Sequence, residues 1–101
     1  MTRITTHVLD TAAGRPAAGM RVTLAARAQD GWRELSDAVT DDDGRINSFP
    51  DVDPGDHRLV FATATPFFTE VVVTFEVDAG RAHLHVPLLL SPYGYSVYRG
   101  S

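Results

Sequence analysis

Apolar and polar residues alternate with a period of two along most of the chain, the pattern of strands that bury one face and wet the other. From Glu70 to Val77 the apolar positions are Val71, Val73, Phe75 and Val77 and the polar ones Glu70, Thr74 and Glu76, with only Val72 out of step. Met20 to Ala26 sets Val22, Leu24 and Ala26 against Arg21 and Thr23, and His57 to Ala62 repeats the pattern with Leu59 and Phe61. Further strands are predicted over Ile4 to Leu9, Trp32 to Val39, Arg45 to Phe49, Arg81 to Leu90 and Tyr93 to Val97. That makes about eight short strands, a number typical of sandwiches. Between them fall Ala13-Gly14-Arg15-Pro16, Asp30-Gly31, Asp42-Asp43-Gly44, Asp53-Pro54-Gly55-Asp56, Ala79-Gly80 and Ser91-Pro92, each with turn-forming residues. No segment carries a sustained helical stripe. The pattern predicts an all-β antiparallel two-sheet sandwich, with residues 1–101 as one domain and no linker or internal repeat.

Because side chains alternate across a strand, parity assigns faces. On the strand from Arg81 to Leu90 the apolar set is Ala82, Leu84, Val86 and Leu88, so His83 and His85 point away from the core together with Arg81. On the first strand Ile4 and Val8 are the inward anchors, and His7 shares the opposite face with Arg3 and Thr5. If these two strands lie in one sheet, His7 and His85 reach a common ligand on its outer face. Converging imidazoles suit acid–base work near neutral pH.

Composition narrows the chemistry. Thirteen acidic against nine basic residues give a net charge of -4 and a pI near 5.4, which argues against nucleic acid as a partner. All nine cations are arginines, so lysine nucleophiles and Schiff bases are excluded. The absence of cysteine excludes disulfides, thiolate catalysis and cysteine zinc sites. The longest apolar run, Val86 to Leu90, is far short of the roughly 20 residues a membrane-spanning helix needs. The segment Met1 to His7 shows no basic region followed by an apolar run, so a cytoplasmic location is the default expectation.

Other features carry competing readings. Asp41-Asp42-Asp43 before Gly44 reads as a solvated hairpin tip rather than a metal loop, since it lacks the further ligands of an EF-hand-type loop. Arg45 directly follows this tip, and its planar fork suits a carboxylate or a ureide carbonyl. His83 and His85, with His7, also have the look of a zinc triad, but no carboxylate obviously completes the shell, and no metal is assigned. Three tyrosines in the last eleven residues, Ser91 to Ser101, predict a tail that docks on its own sheet or on a neighbouring subunit.

Taken together, Thr6-His7-Val8-Leu9-Asp10, Gly14-Arg15-Pro16-Ala17, Thr40-Asp41-Asp42-Asp43-Gly44-Arg45 and the run from His85 to Ser101 resemble the 5-hydroxyisourate hydrolases, the transthyretin-related proteins of purine breakdown. The most specific element is the terminal Tyr98-Arg99-Gly100-Ser101, which in this family separates hydrolases from hormone-carrying transthyretins. The resemblance implies a tetramer, a dimer of dimers with its sites in clefts between the dimers. It implies hydrolysis of 5-hydroxyisourate to 2-oxo-4-hydroxy-4-carboxy-5-ureidoimidazoline, a reaction that needs no redox cofactor. His7, Arg45 and His85 would be catalytic. Tyr98, Arg99, Gly100 and Ser101 would bind substrate, with Ser101 and Tyr98 closing the pocket, while His83 ranks below His85. A carrier that has kept the fold without turnover is the alternative.

The chain departs from this family between Phe61 and Glu70. Relatives usually hold a longer insert there with the fold's one short helix, whereas here only Ala62 to Thr69 fills the gap. The helix is therefore predicted to be absent or reduced to a turn.

Overall fold

A computed structural model describes residues 1–101 as nine strands with no helix: β1 (Arg3–Asp10), β2 (Arg15–Pro16), β3 (Arg21–Ala28), β4 (Gly31–Val39), β5 (Arg45–Ile46), β6 (Gly55–Phe61), β7 (Val71–Val77), β8 (His83–Leu90) and β9 (Tyr95–Val97). They form two sheets. One has the order β2-β1-β8-β9, with β5 also paired to β1, and the other has the order β4-β3-β6-β7. Alternation explains the layering: Ile4 and Val8 of β1 and Leu84, Val86, Leu88 and Leu90 of β8 turn inward against Val22, Leu24, Leu59, Phe61, Val71 and Val77 of the second sheet. Burial of this apolar set at about 25 cal/mol per Å² is the main force holding the layers together. His57 belongs to the same core and is buried, with Nδ1 donating to the Gly55 carbonyl at 3.0 Å.

The strands predicted from alternation are present, with differences that have physical causes. β1 and β8 run parallel over their whole length, Arg3 opposite His83 through Asp10 opposite Leu90, whereas every other pair is antiparallel as predicted. A parallel pair needs a long crossover, and here almost the entire chain provides it. The strand predicted over Arg45 to Phe49 stops at Ile46, because the chain then turns inward to bury Phe49 and Val52, and Pro50 has no N–H for a ladder. β9 begins at Tyr95 rather than Tyr93, since Ser91 N–H and Oγ both bond the Gly94 carbonyl at 2.9 Å and close a turn. Ala82 lies in the turn before β8 and is exposed rather than in the core. A register shift between Leu24 and Ala25 buries Ala25 and leaves Ala26 half-buried. The two-residue β2 is too short to show a period.

The gap between β6 and β7 holds no helix, as predicted. It is closed instead by Thr65 and Phe68, whose backbone bond (Thr65 N–H to Phe68 O) measures 2.9 Å, while Phe68 N–H donates to Thr65 Oγ1 at 2.7 Å. Phe68 packs edge-on against Phe67 and Tyr95. No helix is long and apolar enough to cross a membrane.

Candidate active site

Arg45 and His7 are brought together by the β1–β5 ladder, in which they are direct partners. The acidic tip makes that pairing possible. Asp41 Oδ1 accepts from the backbone N–H groups of Asp43 and Arg45, both at 2.9 Å, and Gly44 N–H donates to the Asp41 carbonyl at 2.9 Å. Gly44 sits at φ +75°, a conformation side chains disfavour, and a Cβ there would press on the Val8 carbonyl oxygen. The tip is thus a built turn and more than a solvated end. It also presents the Asp43 carbonyl to His7 Nε2 at 2.9 Å. A carbonyl only accepts, so Nε2 carries the proton and the lone pair of neutral His7 lies on Nδ1.

His85 enters from β8. The parallel register sets Thr5 directly opposite it, two positions before His7 on the same outer face. Thr5 is 2% exposed because the imidazoles cover it: its Oγ1 lies 2.8 Å from His85 Nδ1 and 2.7 Å from His83 Nε2. His85 Nδ1 is therefore occupied and Nε2 is the nitrogen left for other partners. One nitrogen of each imidazole is taken by an oxygen, the shared Thr5 Oγ1 for His83 and His85 and the Asp43 carbonyl for His7. Burial above all, then the positive charges of Arg45, His83 and His7, holds the His85 pKa below the usual histidine value. All four basic side chains thus share one electrostatic neighbourhood.

The chain end docks on its own sheet. β9 pairs with β8 from Leu88 opposite Val97 to Leu90 opposite Tyr95, and the same register continues to an isolated bridge between His85 and Gly100. Gly100 N–H donates to the His85 carbonyl at 2.8 Å, and a Cβ on Gly100 would come within 2.6 Å of His85 Cδ2. Only glycine lets the tail lie this close to the imidazole. Tyr98 and Arg99 instead line a groove of about 240 Å³ with Val73, Phe75, Leu84 and Val97, on the seam between the sheets. Ser101 is exposed.

None of the molecule's four clefts is lined by His7, Arg45 or His85. The largest, about 1060 Å³, lies where β1 and β8 end, between Asp10, Arg15, Leu90 and the shortened segment from Ala62 to Pro66. The histidine–arginine cluster occupies an open sheet face. Sequence reading singled out His7, Arg45, His85 and Gly100, which the fold groups, but gave no role to Thr5 or to the Asp43 carbonyl. Parity put Thr5 on the right face; only strand pairing shows what lies across from it.

Comparison with known proteins gives the same direction. Residues 4–100 match the family described as "Transthyretin: HIUase/Transthyretin family". A 5-hydroxyisourate hydrolase of Caulobacter vibrioides is 42% identical over an alignment of 115 positions covering 100% of both chains, so it carries residues that this shorter chain lacks. The solved 5-hydroxyisourate hydrolase of Klebsiella pneumoniae superimposes with a TM-score of 0.87 at 33% identity, covering 100% of each chain. Sea bream transthyretin, solved in complex with thyroxine, gives 0.90 at 27% identity over 97% of this chain and 94% of its own. On sequence and on fold together, the chain belongs to the HIUase/transthyretin family.

Proposed function

We propose that this protein is a 5-hydroxyisourate hydrolase of urate breakdown, which opens the substrate ring by adding water across its cyclic amide bond. The observation that carries the reading is the grouping of His7, Arg45 and His85 on one sheet face, with Gly100 of the hydrolase-type tail laid against His85. Fold alone does not separate hydrolase from carrier, since transthyretin superimposes equally well. The site favours the hydrolase.

Amide hydrolysis needs a base for water, a charge partner for the developing oxyanion and an acid for the leaving nitrogen. In the proposed mechanism His7 and His85 divide the two proton-transfer roles through their available nitrogens, His7 Nδ1 and His85 Nε2. Arg45 stabilises the oxyanion and holds the anionic substrate with its planar fork. After burial, its charge also favours neutral His85, the form that accepts a proton.

We also propose that the site is completed by assembly as a dimer of dimers. An open sheet face exposes the reacting groups to bulk water, which weakens every electrostatic contact there. A second subunit laid over it would exclude that water, with Tyr98, Arg99 and Ser101 at its edge to help enclose the substrate. The reading places the reaction in the cytoplasm and assigns it no metal.

The test is to generate 5-hydroxyisourate from urate with an oxidase and to follow its decay with and without the protein. Acceleration supports the assignment, and decay at the spontaneous rate refutes it. His7→Ala, His85→Ala and Arg45→Ala should each lower kcat/KM by about 10²-fold or more.

A further inference from the structure

Thr5 is a buried hydroxyl between two histidines, and this arrangement has a use in turnover. Side chains at i and i+2 on a strand share a face but stand too far apart to bond each other, and the His83 and His85 ring centroids are 6.4 Å apart. The Thr5 hydroxyl fills that gap at 2.7 and 2.8 Å. It carries one proton, so it donates to one ring and accepts from the other. The tautomer of His85 is therefore tied to that of His83.

The proposed hydrolysis creates a need for such a link. Water's hydroxyl adds to the carbonyl carbon, the C–N bond breaks, and the nitrogen leaves with a hydrogen. The new carboxyl group, with an ordinary pKa of about 3.5, then ionises at neutral pH. One water is consumed and one proton must leave the site in each turnover. Arg45 cannot carry it, because a guanidinium does not deprotonate. His7 Nε2 points to the Asp43 carbonyl, which can accept a hydrogen bond but has no proton to pass on. His85 Nδ1 faces a hydroxyl, and behind that hydroxyl stands His83, at the first position of β8 and exposed in the single chain.

We propose that His83 and Thr5 form a proton relay that connects the catalytic imidazole of His85 to solvent. As His85 gains a proton on Nε2, it passes the one on Nδ1 to Thr5 Oγ1. The Thr5 hydroxyl proton moves to His83 Nε2, and the resulting imidazolium releases a proton from Nδ1 to water. The reverse sequence delivers a proton to His85 when it acts as the acid, so the relay serves either role. Thr5 and His83 act through His85 and are positioning residues for it. The charged and titratable groups around the relay are Arg3 and His7 on β1, Arg45 on β5 and Arg81 before β8.

This inference rests on the hydrolase reading, and the test separates the two. Steady-state kinetics on the full-length protein are measured in dilute buffer, with and without added imidazole, for wild type, Thr5→Val, Thr5→Ser and His83→Gln. If wild type does not hydrolyse 5-hydroxyisourate, the hydrolase reading itself fails. With wild type active, Thr5→Val and His83→Gln should lower kcat about ten-fold or more while KM stays within about two-fold, and Thr5→Ser should restore the rate. Added imidazole should rescue His83→Gln but not Thr5→Val, because a soluble base replaces only the solvent end of the relay. Wild-type kcat for His83→Gln in dilute buffer, or a defect that imidazole leaves unchanged, would overturn the relay. Since His83 is exposed, that variant decides the matter even if Thr5→Val does not fold.

Discussion

At the scale of single residues, the proposed mechanism makes the protonation state of His85 decisive. Burial, then Coulombic repulsion from Arg45, His83 and His7, favours its neutral form, so the acidic limb of kcat/KM should lie below the ordinary histidine value of about 6.5. Arg45→Gln removes one repelling charge and should move that limb to higher pH, whereas Arg45→Lys should leave it in place; a pH–rate profile of both variants checks the sign. Stability follows the same linkage. With the folded pKa lowered, the unfolded chain binds more protons in the window below the ordinary value. His85 therefore costs no stability above that window, and stability falls as pH descends through it. These environments were only half legible beforehand: parity alone aimed His7 and His85 outward and put His83 beside His85, but Thr5 and the Gly100 backbone come against His85 only through strand pairing, which no local pattern assigns.

Among the elements, two glycines separate a structural role from a chemical one. Gly44 combines a φ of +75° with backbone contact to Val8, at the turn that orients both Arg45 and the Asp43 carbonyl. Gly44→Ala should cost about 2 kcal/mol or more and lower Tm by roughly 10 °C, read by thermal denaturation. Gly100 has no positive φ, and its Cβ would meet the His85 ring rather than the core. Gly100→Ala should lower kcat/KM about ten-fold or more through displacement of the imidazole or the tail. Its Tm should stay within a few degrees of wild type, because the end of the chain buries little. The turn was visible in the sequence as Asp-Asp-Asp-Gly, since turn chemistry is local. Its second duty, holding His7 through a main-chain carbonyl, was not visible, because every residue has such a carbonyl and only the fold selects one.

For the whole molecule, the proposed mechanism predicts that assembly is part of the activity, because the His7–Arg45–His85 face is open in the single chain. Light scattering should give a mass of roughly four times the 11.0 kDa chain, and activity per chain should fall on dilution through the assembly's dissociation range while circular dichroism is unchanged. Constant activity from a monomer would remove the inter-subunit cleft from the mechanism. The helix-free segment between β6 and β7 lies beside the largest cleft, whose lining includes none of His7, Arg45 and His85. By itself the sequence determined what a period of two and turn chemistry encode: the strands, their inward and outward faces, and the residue types on offer. Tertiary structure alone decided that β1 and β8 run parallel in a register that seats Thr5 between two histidines, and that the tail closes on His85. The physical reason is distance along the chain. Thr5 and His85 are 80 positions apart, and their meeting depends on the core that the intervening residues build, which no short stretch of sequence specifies.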